Sequence, residues 1–262
     1  MSRAIAMDVN MRAAMRARFE NDLYRLLMIT APSGYEAPVA RFLVKRLTNV
    51  TDEMYTDAYG NLLGERCFGS GNGPTVLLCA HMDTVWVDPG RGISCRGDIW
   101  SSTSGPLGAD DRAGIAVIIT VMENLEEAGF NGKVKLAFTR EEEIGRIGSN
   151  EIDPVWLGGA DLAIVVDRRG SRDIVVRNGL MDFCDQEMAD YFERTGARCG
   201  MPDWKAVRGG ISDAMTFAKH GIPSVNLSAG YKDEHTEEET MNVEHGLDTV
   251  RFVLAAVTDY RP

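Results

Sequence analysis

In the segment AHMDTV a histidine and an acid, His81 and Asp83, stand two residues apart. On extended backbone both side chains point to the same side. The carboxylate can then take the proton on one imidazole nitrogen and leave the other to bind a metal. Taken alone, such a pair is more often an ordinary hydrogen-bonded pair. In LGADDRAGIA, Asp110 and Asp111 are adjacent just before a helix, where acids also serve as caps and first-turn charges. The flanking Gly108 and Gly114 allow a tight backbone there, and a carboxylate at that point can bridge two cations. In FTREEEIGRIGS, Glu141, Glu142 and Glu143 follow an apolar strand. A run of acids is commonly a solvated face. At a sheet end, however, repulsion among them calls for positive charge. A metal pair supplies it, with one Glu ligating and its neighbour free to carry a proton.

Asp167, directly after LAIVV, and His235, in GYKDEHTEEE, extend the series. The ordered set His81, Asp110, Glu143, Asp167 and His235 mixes imidazole and carboxylate in the way that suits zinc, with cobalt or manganese as substitutes. With Asp110 shared, each of two metals has one His, the bridging Asp and one further carboxylate. Room is left for a water, which is the mark of an open catalytic site and of a hydrolase. His220 and His245 fall in helical stretches and read as structural.

The elements that must position these groups alternate between strand and helix. Helical spacing runs from Val9 to Thr30 and from Glu36 to Leu47, and two short strands lie within Thr51–Arg66 around Tyr59-Gly60-Asn61. Pro74–Ala80, Lys133–Phe138, Leu162–Val166 and Pro223–Leu227 are short apolar runs typical of buried strands. Ile115, Ile118, Ile119, Met122 and Leu125 repeat at three and four, predicting a helix from Asp111 to about Ala128. Further helices are expected over Met181–Arg194, Ser212–His220 and the stripe Val243, Leu247, Val250, Leu254 and Val257. The pattern predicts an α/β fold: a doubly wound, mostly parallel sheet with helices on both faces, whose ligands gather beyond the carboxyl ends of the strands.

The whole chain, 1–262, reads as a single catalytic domain. Its 28 Lys and Arg against 39 Asp and Glu leave a net charge of −11, so it lacks the basic footprint of a nucleic-acid surface and would be repelled by an anionic membrane. Asp8, Asn10, Arg12, Arg16 and Arg18 interrupt the apolar residues of Met1–Arg18, so no signal-peptide core is expected there. Five cysteines without tight spacing read as buried reduced thiols, and a cytoplasmic location fits.

On these motifs the chain resembles the co-catalytic, dinuclear zinc exopeptidases, the superfamily of peptidase T and of the tetrahedral and double-zinc aminopeptidases. APSGYE (Ala31–Glu36) and DAYGNLLGE (Asp57–Glu65) are similar to N-terminal signatures of that group. AHMDTV, GADDRAG, EEEIG, VVD, RGGISDA and GIPSVNLSAGY follow in the same order. The resemblance implies that His81 and Asp167 bind one zinc ion, that Glu143 and His235 bind the other, and that Asp110 bridges them. It implies a cis peptide after the bridging Asp, Glu142 as general base toward a metal-bridging water, and Asp83 as the group that orients His81. The implied activity is that of an exopeptidase, an aminopeptidase or di- or tripeptidase, acting on small peptides.

The chain departs from those relatives in lacking their inserted lid or dimerisation domain, and it leaves a homo-oligomer as an open expectation. Arg208, in RGGISDA, resembles an arginine that binds a substrate carboxylate in the lid-bearing enzymes, although Ile211 shifts the register by one residue. Two rival readings stand beside the peptidase: an N-acyl amino acid amidohydrolase using the same metals, and a non-catalytic metal-binding or regulatory protein of the same fold. The turn-rich stretches Trp86–Gly92 and Gly196–Gly209 are candidates for flanking a pocket.

Overall fold

The four apolar runs form the parallel middle of one sheet. The computed structural model describes residues 9–262, so Met1–Asp8 of the opening stretch lies outside the described residues. The first half holds helices α1 (Val9–Leu27) and α2 (Ala37–Leu47), then strands β1 (Glu53–Thr56), β2 (Leu62–Phe68), β3 (Thr75–His81), β4 (Ile93–Arg96) and β5 (Ile99–Ser102). Next come α3 (Ala109–Asn124), β6 (Gly132–Thr139), the short helices α4 (Ile147–Asn150) and α5 (Pro154–Leu157), β7 (Leu162–Arg168) and β8 (Asp173–Arg177). The chain continues through α6 (Gln186–Arg198), β9 (Lys205–Arg208), α7 (Asp213–Lys219), β10 (Ser224–Ser228), β11 (Tyr231–Lys232), β12 (Thr240–Asn242) and α8 (Val243–Asp259).

An eight-stranded sheet runs in the order β1-β2-β6-β3-β7-β10-β8-β9. β6, β3, β7 and β10 pair in parallel, while β1 and β2 on one flank and β8 on the other join antiparallel. Side chains alternate across it, as the two-residue period of a strand requires. Val76, Leu78 and Ala80 of β3 and Leu162, Ile164 and Val166 of β7 enter the larger core with α1, α3 and α8. Leu77, Cys79, Ala163 and Val165 face the opposite way, against Ala214, Met215 and Phe217 of α7. Each fully buried Leu or Ile of these layers contributes roughly 1.5–3 kcal/mol. Helix α3 is buried nearly all round, between the sheet and the outer helices.

A second sheet, β11-β12-β5-β4, is assembled from segments more than a hundred residues apart, and its Trp100, Tyr231 and Met241 join the larger core. The sequence does not announce these strands, because they are two to four residues long and mixed in polarity. Helix α6 begins at Gln186, five residues later than its spacing predicts. The Asn178 side chain accepts from Leu180 N and Met181 N, and Asp185 caps the helix by accepting from Met188 N. The expectation for the cysteines is corrected in part: all five are free, but Cys67 and Cys95 are exposed. Among the described residues no helix is long and apolar enough to cross a membrane.

Candidate metal centre

Because β6, β3, β7 and β10 are parallel, their carboxyl ends share one edge, and the polar residues that follow them converge there. His81 is the last residue of β3. Asp167 lies one residue before the end of β7, not after it, and the turn Arg140–Glu143 follows β6. β10 leads through Ala229 and Gly230 into β11 and the loop that carries His235. Asp110 arrives at the same edge on the start of α3, where Asp110 and Asp111 have non-helical dihedrals and the peptide between them is cis.

The side chains meet closely. Asp110 Oδ1 lies 3.1 Å from His81 Nε2, and its Oδ2 lies 3.2 Å from His235 Nε2. His235 Nε2 is 2.8 Å from Glu143 Oε1, and His81 Nε2 is 3.5 Å from Asp167 Oδ1. Thus Asp110 turns one oxygen to each imidazole. Asp111 is fully buried beside it and accepts from His81 N at 3.3 Å and Gly114 N at 3.0 Å, which ties the helix start to β3. Ligand atoms of His81, Asp110 and Glu143, and those of His81, Asp111 and Asp167, fall within 4.8 Å of one another.

Asp83 does more than face His81. The His81 Nδ1 lies 3.0 Å from the Asp83 carbonyl and 3.3 Å from Oδ1. The Asp83 carboxylate also accepts from Ser33 Oγ at 2.7 Å, Glu142 N at 3.0 Å and Glu143 N at 3.2 Å. It therefore fixes the backbone of both glutamates. Burial would raise its pKa, but the His81 imidazole and these donors outweigh burial and hold it down at about 2. A second clamp is Glu36, fully out of solvent, whose Oε1 accepts from Gly34 N and Glu141 N while Oε2 accepts from Arg140 Nε at 2.7 Å.

The electrostatics favour cations. Burial and the neighbouring Asp167 push Glu142 up to about 10, and burial with Asp110 and Asp213 nearby raises Asp167 to about 7 despite His81. Carboxylates crowded out of water in this way accept positive charge readily. Asp110 and Glu143 favour the imidazolium of His235 up to about 10. That proton stabilises the metal-free fold below the unfolded value of about 6.5, and its contribution is lost as pH rises through about 10. A metal ion bound there would take the proton's place, so its uptake would release protons. The donor set of two imidazoles and several carboxylates fits zinc chemistry.

A cleft of about 190 Å³ opens over these groups, its walls formed by Glu142, Asp167, Arg168, Arg169, Ile211 and Glu234 among others. Of the residues read from the sequence, His81, Asp83, Asp110, Glu142, Glu143, Asp167 and His235 share this edge. Arg208 does not line the cleft. It ends β9 at the far margin of the sheet with its Nη2 against Gly179, and Gly210 and Ile211 are the residues that reach the cleft. Neither Trp86–Gly92 nor Gly196–Gly209 contributes a wall residue. His220 closes α7, exposed, and His245 lies in the first turn of α8. Sequence reasoning missed Arg168, Arg169, Tyr231 (whose hydroxyl donates to Asp167 Oδ1 at 3.1 Å) and the buried Glu239. Tyr231 and Glu239 both stood in view within GYKDEHTEEE, the first as an ordinary strand aromatic and the second, in the acidic run after His235, as any solvated glutamate.

The fold is shared with known peptidases. The aminopeptidase PepT from Bacillus cereus superposes with a TM-score of 0.84 at 20% identity, over 93% of this chain and 98% of that one. The Pyrococcus horikoshii TET1 peptidase superposes with a TM-score of 0.75 at 17% identity, over 92% and 100%. A putative LysW-lysine/LysW-ornithine hydrolase from Pyrococcus furiosus is 40% identical over 92 residues, 32% of this chain. The chain spans about a quarter or less of the length of that hydrolase and of the other curated relatives it matches first. The profile of the M42 glutamyl aminopeptidases matches residues 105–252, a stretch that holds Asp110, Glu142, Glu143, Asp167 and His235. With more than half of its residues in that match, this chain belongs to the M42 glutamyl aminopeptidase family.

Proposed function

We propose that the protein is a metal-dependent exopeptidase, an aminopeptidase of short peptides, built on a single catalytic unit and working in the cytoplasm. His81 and Asp167 on one side, and Glu143 and His235 on the other, would hold two zinc ions, replaceable by cobalt or manganese, with Asp110 as the common ligand. The observation that carries this reading is the Asp110 carboxylate, which presents one oxygen to each imidazole at 3.1 and 3.2 Å. Metal ions held by these residues would supply Lewis-acid chemistry, acidifying a water and polarising a carbonyl. Glu142, held by the bond from its amide to Asp83, takes the proton of the attacking water and returns it to the leaving amine. Assembly into a homo-oligomer is part of the proposal, supported by the TET1 peptidase, which assembles into a tetrahedron or a large octahedral shell.

The decisive assay compares free-amine di- and tripeptides with their N-acetylated forms, on protein whose metal content is measured in the same preparation. Turnover of the free-amine peptides and loss of it on chelation are expected. Preferential turnover of N-acyl amino acids would favour the amidohydrolase reading, which the likeness to the LysW-lysine/LysW-ornithine hydrolase supports. A metal-loaded protein inert on both substrate classes would return the non-catalytic reading.

For the substrate carboxylate, Arg168 is the better-placed cation. It lines the cleft, whereas Arg208 does not. Arg208→Ala is expected to leave the KM of small peptides unchanged. Arg168→Ala is expected to raise it about tenfold, as loss of a charge-assisted hydrogen bond does. Its effect should vanish on the C-terminal amides of the same peptides, which initial-rate kinetics will read. An Arg168→Ala enzyme with unchanged KM on both series rules the contact out.

A further inference from the structure

Glu239 sits four residues after His235 and directly before β12, with 1% of its surface exposed. Its carboxylate does not touch the cleft. Instead Oε2 accepts from Gly108 N at 2.8 Å and Oε1 accepts from Asp110 N at 3.1 Å, across a gap of about 130 residues in the chain. These two amides belong to the entry of α3, where backbone donors have no partner within the helix. Gly108 itself is left-handed, at φ 76°, and a Cβ there would lie 3.2 Å from Val87, so the segment has little freedom to reach another acceptor. The His235 loop is tied to the same residue, since Glu239 N donates to Thr236 O at 3.2 Å. One buried carboxylate thus joins the backbone that aims Asp110 to the loop that carries the imidazole facing it.

We infer that Glu239 is the positioning residue of this centre: it sets the bridging carboxylate and His235 in register before a metal ion arrives. The inference rests on the metal reading of the preceding section and adds a residue outside the ligand set. A plain helix cap would stabilise α3 and nothing more. A positioning clamp also determines how tightly the ions are held, because partners of ligand groups typically change metal affinity 10–100-fold.

The test is cobalt titration of the metal-free protein, followed by visible absorption, for wild type and E239Q. Glutamine preserves the shape but turns an NH2 donor toward one of the two amides. Cobalt is expected to bind E239Q 10–100-fold more weakly in at least one of its two steps, with a changed absorption band, at temperatures where circular dichroism shows both proteins folded. Two cobalt ions bound by E239Q with wild-type constants and spectrum would overturn the inference, even if its melting temperature fell. A wild-type protein that takes up no cobalt overturns the metal reading itself. Hydrogen exchange on metal-free wild type needs no variant and can overturn the inference should E239Q not fold. The amides of Gly108 and Asp110 are expected to be protected, and exchange at the rate of an open loop would show that nothing is held in register.

Discussion

Glu142→Gln is expected to retain its metal ions and to lower kcat by about 10²–10⁴-fold, the range of a lost general base. The substitution keeps size and shape, and the bonds that fix this turn come from backbone amides to Asp83, so the fold has no reason to change. What is lost is the capacity to take up a proton. Without cations, burial and Asp167 hold the Glu142 carboxyl protonated up to about 10. Positive charge among the neighbouring carboxylates brings that value down and frees the group to act as a base near neutral pH. Steady-state kinetics beside elemental analysis of the same sample provide the check. Wild-type turnover in the glutamine variant would assign the proton transfer to another group, and loss of metal would make Glu142 a ligand.

Asp110→Ala is expected to have the larger effect, abolishing metal retention after dialysis together with measurable peptide hydrolysis. The alanine leaves two separate pairs, His81 with Asp167 and His235 with Glu143, and nothing between them. A water without a cation returns from a pKa near 7 toward 15.7, so activity should fall by more than about 10⁴-fold. Asp111→Asn is the informative companion. Its carboxylate is buried against His81 N and Gly114 N, so its loss should lower the melting temperature while metal is still bound. Metal content and melting curves of the two variants separate the adjacent acids. Two ions bound by Asp110→Ala would exclude Asp110 as the shared ligand.

The centre was largely legible because it depends on local pattern. A short apolar run followed by His81, another followed by Glu141-Glu142-Glu143 and a third ending at Asp167 announce three buried strands with polar residues at their carboxyl ends, and parallel pairing brings such ends to one edge. Arg208 shows where this stops. Its motif suggested a substrate contact, yet β9 pairs at the sheet margin, and the cations of the cleft are Arg168 and Arg169 directly after β7. A side chain's distance from the centre depends on strand order, which no local pattern carries. The small sheet of β4, β5, β11 and β12 was silent for a related reason, since strands of two to four residues are stable only once distant partners supply their hydrogen bonds.

The amino-acid sequence by itself determined the large helices and the parallel middle strands of the main sheet but not β8 and β9 at its margin, and it determined the order of the residues that meet at the strand ends and the mixed imidazole and carboxylate chemistry they share. Tertiary structure alone decided which arginines line the cleft, and that Glu36, Asp83 and Glu239 turn their carboxylates to backbone amides of the loops around the centre. The physical reason is that residue type and periodicity are local properties. The direction of a buried carboxylate depends on which unpaired N–H groups the folded chain brings within about 3 Å of it.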